Sequence, residues 1–421
     1  MTTVSRTLPA QPHLDVPRRE ARALIEAWRA GATDALERVR ARHPRFRNRN
    51  DIGGNAVPDV FKLADAQLVV AREYGFAGWT ELKRRIESNS PALALRHAIE
   101  ASDRDSVVRL LRAHPDLRDV PLWSGNWGPP MSHAANLGHL EIVEAIFALG
   151  AQDVQHASER AVLQGRLECA RWLQTRGAKP RPGLVMDSCE TLNTDGFDFL
   201  MDAGAPLTDA QGDRLAPLAL VLSTYARCPE AKHSLLDRFA ARGYLLPDTP
   251  IVALHRGDVN LLDTLLRRDP SLLARRFALR EIYPKDLGCA EEGRAGMHWT
   301  PIEGTTLLHL AIDFREHAIF AWLLDHGANV NAQAAVDDAG FGGHTPLFHT
   351  VVNGPQRDPA MARALLARGA RPDIRASLRK FLDWCERPRW HEAREVSAYE
   401  WGATFPDRSW VDTEALRLLG P

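Results

Sequence analysis

Lysine is nearly absent from this chain. Only six of its 53 basic residues are lysine, and 54 acidic residues balance them to a formal net charge of -1. Near neutrality removes the bulk attraction that brings a protein to nucleic acid or an anionic bilayer, so neither is expected as a partner. Ten arginines do crowd residues 17–49 against four acids, and a solvated face is their expected use. Cysteine is scarce too: Cys169, Cys189, Cys228, Cys289 and Cys385 are odd in number, widely spaced and never paired as C-x-x-C. That argues against a disulfide framework or a thiolate zinc site and makes a reducing cytoplasm the expected location. Long apolar runs are missing as well. The stretch from Leu215 to Ala226 is interrupted by Pro217 and is too short to span a bilayer, and the first twenty residues lack the apolar core of a signal peptide.

Catalytic signatures are also lacking. The chain holds no G-x-x-x-x-G-K-[ST], no strand-preceded G-x-G-x-x-G and no G-x-S-x-G elbow. No catalytic residue, metal or cofactor is therefore assigned, and an enzyme is not expected.

What the chain does have is repetition. Shifted by 71 residues, ALIEAWRAGATDALERVRARHPRF (23–46) aligns without a gap on ALRHAIEASDRDSVVRLLRAHPDL (94–117), and IVALHRGDVNLLDTLLRRDPSL (251–272) is a third copy. Each reads as an Ala-rich first helix, a polar turn and a longer second helix. Leu95, Ala98 and Ile99 share one face, and Val107, Leu110 and Leu111 share another. Such a pair cannot close its own core, so units must stack.

Several units resemble the ankyrin family. Thr306-Leu307-Leu308-His309-Leu310-Ala311 matches T-P-L-H-x-A except for the proline, and Trp322 to Ala332 matches the family's exit from helix two. Thr345-Pro346-Leu347 opens another unit and Gly369-Ala370 closes it, while Ala134 to Glu141 matches A-A-x-x-G-H-x-E. The resemblance implies an all-α, ankyrin-type helical solenoid, a right-handed stack of about ten helical pairs with a concave face. It implies a left-handed glycine after each second helix, a threonine cap on each first helix, and a structural role for His309. The intervals Gly150 to Gly177 and Gly177 to Gly204 are 27 residues, against a usual period of about 33. Gly204 to Gly243 and Gly327 to Gly369 are 39 and 42. Irregular, partly shortened hairpins and long inserted loops are the expectation.

The expected organisation is a disordered tail (1–16), an N-terminal helical cap (17–90), degenerate repeats (91–279), an inserted loop (280–304), well-matched repeats (305–375), and a C-terminal helical segment with a capping repeat (376–421). Trp79, Leu82 and Ile86 are expected to cover the end of the stack. An extra helix is expected around Leu378, Phe381 and Leu382, followed by a loop bearing Trp and His.

Loop aromatics are the candidate binding residues, because Trp and Tyr supply much contact area for little lost rotamer entropy. They are Trp123 and Trp127 in one finger, Tyr283, His298 and Trp299 in the insertion, and Phe341 and His344 in an enlarged finger. The alternative for each is that it folds back onto the core. The expected function is a scaffold or regulator holding an unidentified protein partner through its loop and concave face; the pattern gives no oligomeric state. A metal-dependent or other hydrolase is the rival, with a site in the loops and helices of 280–349. His298, His309, Asp313 and His344, with His391, would carry it, although their spacing matches no metal motif.

Overall fold

In the computed structural model, residues 6, 8, 14–46, 61–88, 90–122, 127–290, 298–354, 357–382 and 389–420 are described. Helices dominate them: eleven consecutive pairs and one short extra helix, Leu279–Ile282. None is long and apolar enough to cross a membrane. The chain divides into two compact units, residues 1–161 with 168–178, and residues 162–167 with 179–421.

The first unit opens with helix Asp15–Arg29, which places Asp15 in its first turn and Arg29 in its last, where the helix dipole favours each charge. Pro17, Ala21, Leu24 and Trp28 recur on one face and are buried. Trp28 stacks on Phe61 at 4.7 Å and tilts onto Phe46 at 5.5 Å. Arg38 forks onto Glu73 at 2.8 and 3.0 Å, tying helix Thr33–Arg42 to helix Leu63–Glu73. Leu82 and Ile86 of helix Trp79–Ser88 were expected at the end of a stack. They belong to an apolar cluster built from residues 21–86, with Trp79 at its margin. The segment therefore makes a core of its own, because four amphipathic helices suffice to enclose one. Repeat-like pairs follow at Pro91–Glu100 with Arg104–Ala113 and at Pro130–Leu137 with Leu140–Ala148. Ser90 and Asp103 cap the first pair by accepting from the N–H groups of Leu93 and Ser106. Leu95, Ala98, Ile99, Val107 and Leu111 are buried as their spacing predicts.

The second unit holds six pairs, from Val185–Glu190 with Thr194–Asp202 to Ala398–Thr404 with Thr413–Leu419. Gly204, Gly243, Gly327 and Gly369 all have φ between +78° and +85°, so a left-handed residue does end each of these second helices. The threonine cap holds at Thr249, which accepts from the Val252 N–H at 3.3 Å, but differs at two other first helices. Thr306 directs its hydroxyl to His309 Nδ1 at 2.9 Å rather than to backbone, and the buried Thr345 hydroxyl has no partner.

The fingers of this unit join in series. Strand β1 (Arg276–Phe277) pairs antiparallel with β2 (Thr305–Thr306), and Ala335 N–H donates to Gly304 at 2.8 Å. The enlarged finger closes by a bridge from Val336 to Gly342, and Gly342 bridges onward to Ser377. There the expected helix is a strand: β3 (Ala376–Leu382) pairs with β4 (Arg389–Val396). Leu378, Phe381 and Leu382 fit a helical stripe, yet the neighbouring finger offers Ser377 backbone partners that a helix could not use. The strand ladder carries an irregularity opposite Ala376 to Leu378, and Glu395 has φ +49°.

Replacing the fully buried Leu82 by Ala leaves a cavity in the N-terminal cluster. The expected loss is about 2–5 kcal/mol, read from chemical denaturation. A loss below about 0.5 kcal/mol would mean that this cluster adds nothing to stability.

Candidate functional site

Two features of the second unit gather most of the candidate residues, one closed and one open. The closed one centres on Asp313, the last residue of helix Leu307–Asp313. His298 Nδ1 donates to its Oδ2 at 2.6 Å, and Arg227 donates to the same oxygen at 3.2 Å and to the Asp313 carbonyl at 2.8 Å. His349 Nδ1 lies 3.4 Å from the other oxygen. Tyr283 completes the chain by donating its hydroxyl to His298 Nε2. A second buried pair, Lys232 with Glu316 at 2.9 Å, lies beside it, and Phe314 is ringed by Arg227, Lys232, His255 and His298.

Burial sets the protonation states here. Burial alone would raise the Asp313 carboxyl, but His298 and Arg227 hold it well below the usual carboxylate range. Burial lowers His298 to about 4 despite Asp313, and lowers His344 to about 3 with help from His349. Burial also takes His255 and His309 well below their ordinary value and Tyr283 well above its own. At neutral pH these imidazoles are uncharged and Asp313 is ionised. A Tyr–His–Asp chain is ordered as a proton relay would be, but all three side chains are buried and closed to substrate.

The candidate binding residues are thus mostly not surface anchors. Tyr283, His298, Trp299, Phe341 and His344 are all buried, which corrects the expectation of exposed loop tips. The described ends of the insertion fold back because their aromatics find distant apolar partners. Trp299 sets its ring edge-on to Trp410 at 3.8 Å, and a Cβ at Gly354 would come within 2.7 Å of it. Trp127, in the other unit, is half-buried against His133 at 5.0 Å. Trp123 lies outside the described residues. Apart from the bonded pair His298 and Asp313, the proposed metal ligands are held by other partners. His309 accepts from Thr306 and donates from Nε2 to the His344 carbonyl at 3.2 Å, His344 Nε2 donates to the Pro301 carbonyl at 2.9 Å, and His391 stacks on Trp401. Among the described residues no group of three or more His, Cys, Asp or Glu is arranged to hold a metal.

The open feature is a pocket of about 500 Å³ between the enlarged finger, β3, β4 and the ends of the insertion. Phe341 and His344 line it, so two of the candidate residues are here. Arg379 spans its mouth, paired with Asp337 at 2.8 Å and lying over Phe341 at 4.8 Å and Trp390 at 5.7 Å. Asp337 also accepts from the Phe341 and Ala339 N–H groups, and these bonds, Phe341's foremost, with Arg379 hold its carboxyl low. Arg394 covers the Phe341 ring at 4.1 Å. Beside the pocket stand three of the large exposed apolar side chains: Trp390 at 57%, Phe381 at 41% and Val336 at 62%. Phe381 and Trp390 face each other across the β3–β4 ladder with ring centroids 5.3 Å apart. These three were not chosen from sequence. The alternation Arg379, Phe381 on one strand and Trp390, Glu392 on the next was the available signal, obscured by the helical reading of Leu378 and Leu382.

Residues 303–335 match the family model described as ankyrin repeat. Among solved structures, the crystal structure of the human ASB11 ankyrin repeat domain is similar at 18% identity and a TM-score of 0.23, over 69% of this chain and 98% of that one. No curated protein matches.

Two expectations follow. Trp299→Ala should cost about 3–5 kcal/mol in denaturation, the range for removing a core tryptophan, and a near-neutral result would return Trp299 to the surface. The buried histidines give stability a pH slope. Their folded values lie below the unfolded value of about 6.5, so the folded state is favoured above that pH and loses stability as pH falls toward 4 for His298 and 3 for His344. Each contributes about 1.4 kcal/mol per pH unit within its window. His344→Gln should flatten the slope between pH 6 and 4 by about that amount, and an unchanged slope would show His344 to be charged in the fold.

Proposed function

We propose that this chain, an ankyrin-repeat protein, works by holding a partner protein on the loop side of its second unit, with the patch of Trp390, Phe381 and Val336 as the point of contact. Ankyrin repeats are generally protein–protein interaction modules. The observation that carries the proposal is an exposed tryptophan at 57%, next to a second exposed aromatic and a pocket. Apolar side chains grouped in this way mark contact surfaces, whereas scattered ones do not. Tryptophan is among the side chains on which binding energy concentrates. Phe341, fixed beneath Arg379 and Arg394, makes the floor of this contact, and Trp127 is a secondary one in the other unit. Cys169, Cys189 and Cys289 are buried and free, which suits a reducing compartment such as the cytoplasm.

The test compares Trp390→Ala with Glu141→Ala, an exposed position in the first unit. Immobilised protein is used to capture partners, and the affinity of the recovered partner is then measured. Trp390→Ala should weaken binding by about 2 kcal/mol or more, roughly thirtyfold, with its melting temperature unchanged, while Glu141→Ala binds normally. Equal affinity for all three proteins would remove the patch from the contact.

A further inference from the structure

We infer that the pocket beside Trp390 receives a lysine side chain of the partner; this rests on the proposed function and specifies its chemistry. The reasoning begins with the charges that line the cavity. Asp337 is neutralised by Arg379 at 2.8 Å, and His344, lowered to about 3, is uncharged at neutral pH. Glu303 is the remaining charged group of the lining, and among the described residues no cation pairs with it. Its Oε2 accepts from the Leu279 N–H at 2.7 Å, which fixes the carboxylate against the wall and leaves Oε1 for a visitor.

A single available oxygen suits a compact ammonium better than the two-pronged fork of arginine, which is made for both oxygens of a carboxylate. The rest of the lining suits the stem. Leu279, Pro301, Ala335 and Leu378 present apolar surface, against which the four methylenes of lysine lie while the charge reaches a polar group. Trp390 adds further apolar surface at the mouth. A volume of about 500 Å³ is ample for one such side chain. Arg389 and Arg394 stand outside the lining; Arg394 lies over the Phe341 ring at 4.1 Å, and its charge subtracts from the attraction that Glu303 exerts on a cation.

The experiment uses the full chain and four blocked pentapeptides, alanine at every position except a central lysine, arginine, norleucine or glutamate, observed by saturation-transfer NMR and titrated. The lysine peptide should bind best, with transfer concentrated on its side-chain methylenes. Glu303→Gln keeps an oxygen to accept from Leu279 and removes only the charge, so it should weaken lysine binding about fivefold, as for a partly exposed ion pair, and leave norleucine binding unchanged. Val336→Arg, which places a cation at the rim, should weaken the lysine peptide most. Preference for norleucine, arginine or glutamate, or indifference to Glu303→Gln, overturns the inference. If Trp390→Ala loses the partner while Glu303→Gln keeps it at full affinity, the lysine pocket fails and the contact surface stands; if both retain it, both fail.

Discussion

A buried carboxylate must be surrounded by donors, and Asp313 imposes that condition on the second unit. Its donors are Arg227 and His298, with His349 at 3.4 Å, and these belong to different parts of the chain; Arg227 is 86 positions away. An ionised group at 3% exposure tolerates no missing partner, since leaving one charge of a buried pair alone costs about 3–5 kcal/mol. Residues from the loop after Ser223, the described end of the insertion and the repeat that begins at Thr345 meet at this single side chain. Because Tyr283 and His298 pin both described ends of the insertion, Leu279, Pro301 and Glu303 are in place as pocket walls.

Helix pairing was the most legible property in the sequence. Apolar spacing at Leu95, Ala98 and Ile99, and glycines such as Gly327 and Gly369, act within one or two turns, and the structure follows them. Repeat identity around Thr306 to Ala311 was equally readable. The hairpin of β3 and β4 was not, because Leu378, Phe381 and Leu382 satisfy the helical spacing, and only pairing of Ser377 with Gly342 decides for a strand. Local pattern and tertiary partner conflicted there, and the partner prevailed.

The candidate site was legible in part. Phe341 and His344 do line the pocket, and the enlarged finger was rightly singled out. Trp299 misled because its fate was set by Trp410 and Gly354, partners that no local window contains. The charge on Glu303 matters only because Asp337 and Arg379 cancel each other across 42 positions. A sequence displays which residues are charged, but not which charges remain uncompensated once the chain has closed.

The finger bridges that run from β1 to β4 raise the question of where such a sheet ends. Each finger offers its backbone to the next, so a last strand with a regular outer edge would invite a neighbouring molecule to continue the series. On β4, Arg389, Glu392, Arg394 and Glu395 put charge on half of its eight positions, and Glu395 turns the backbone out of register at φ +49°. A bend of that kind spoils the spacing that an incoming strand needs. The hairpin therefore presents a charged and irregular outer edge, on which a further strand would pair poorly.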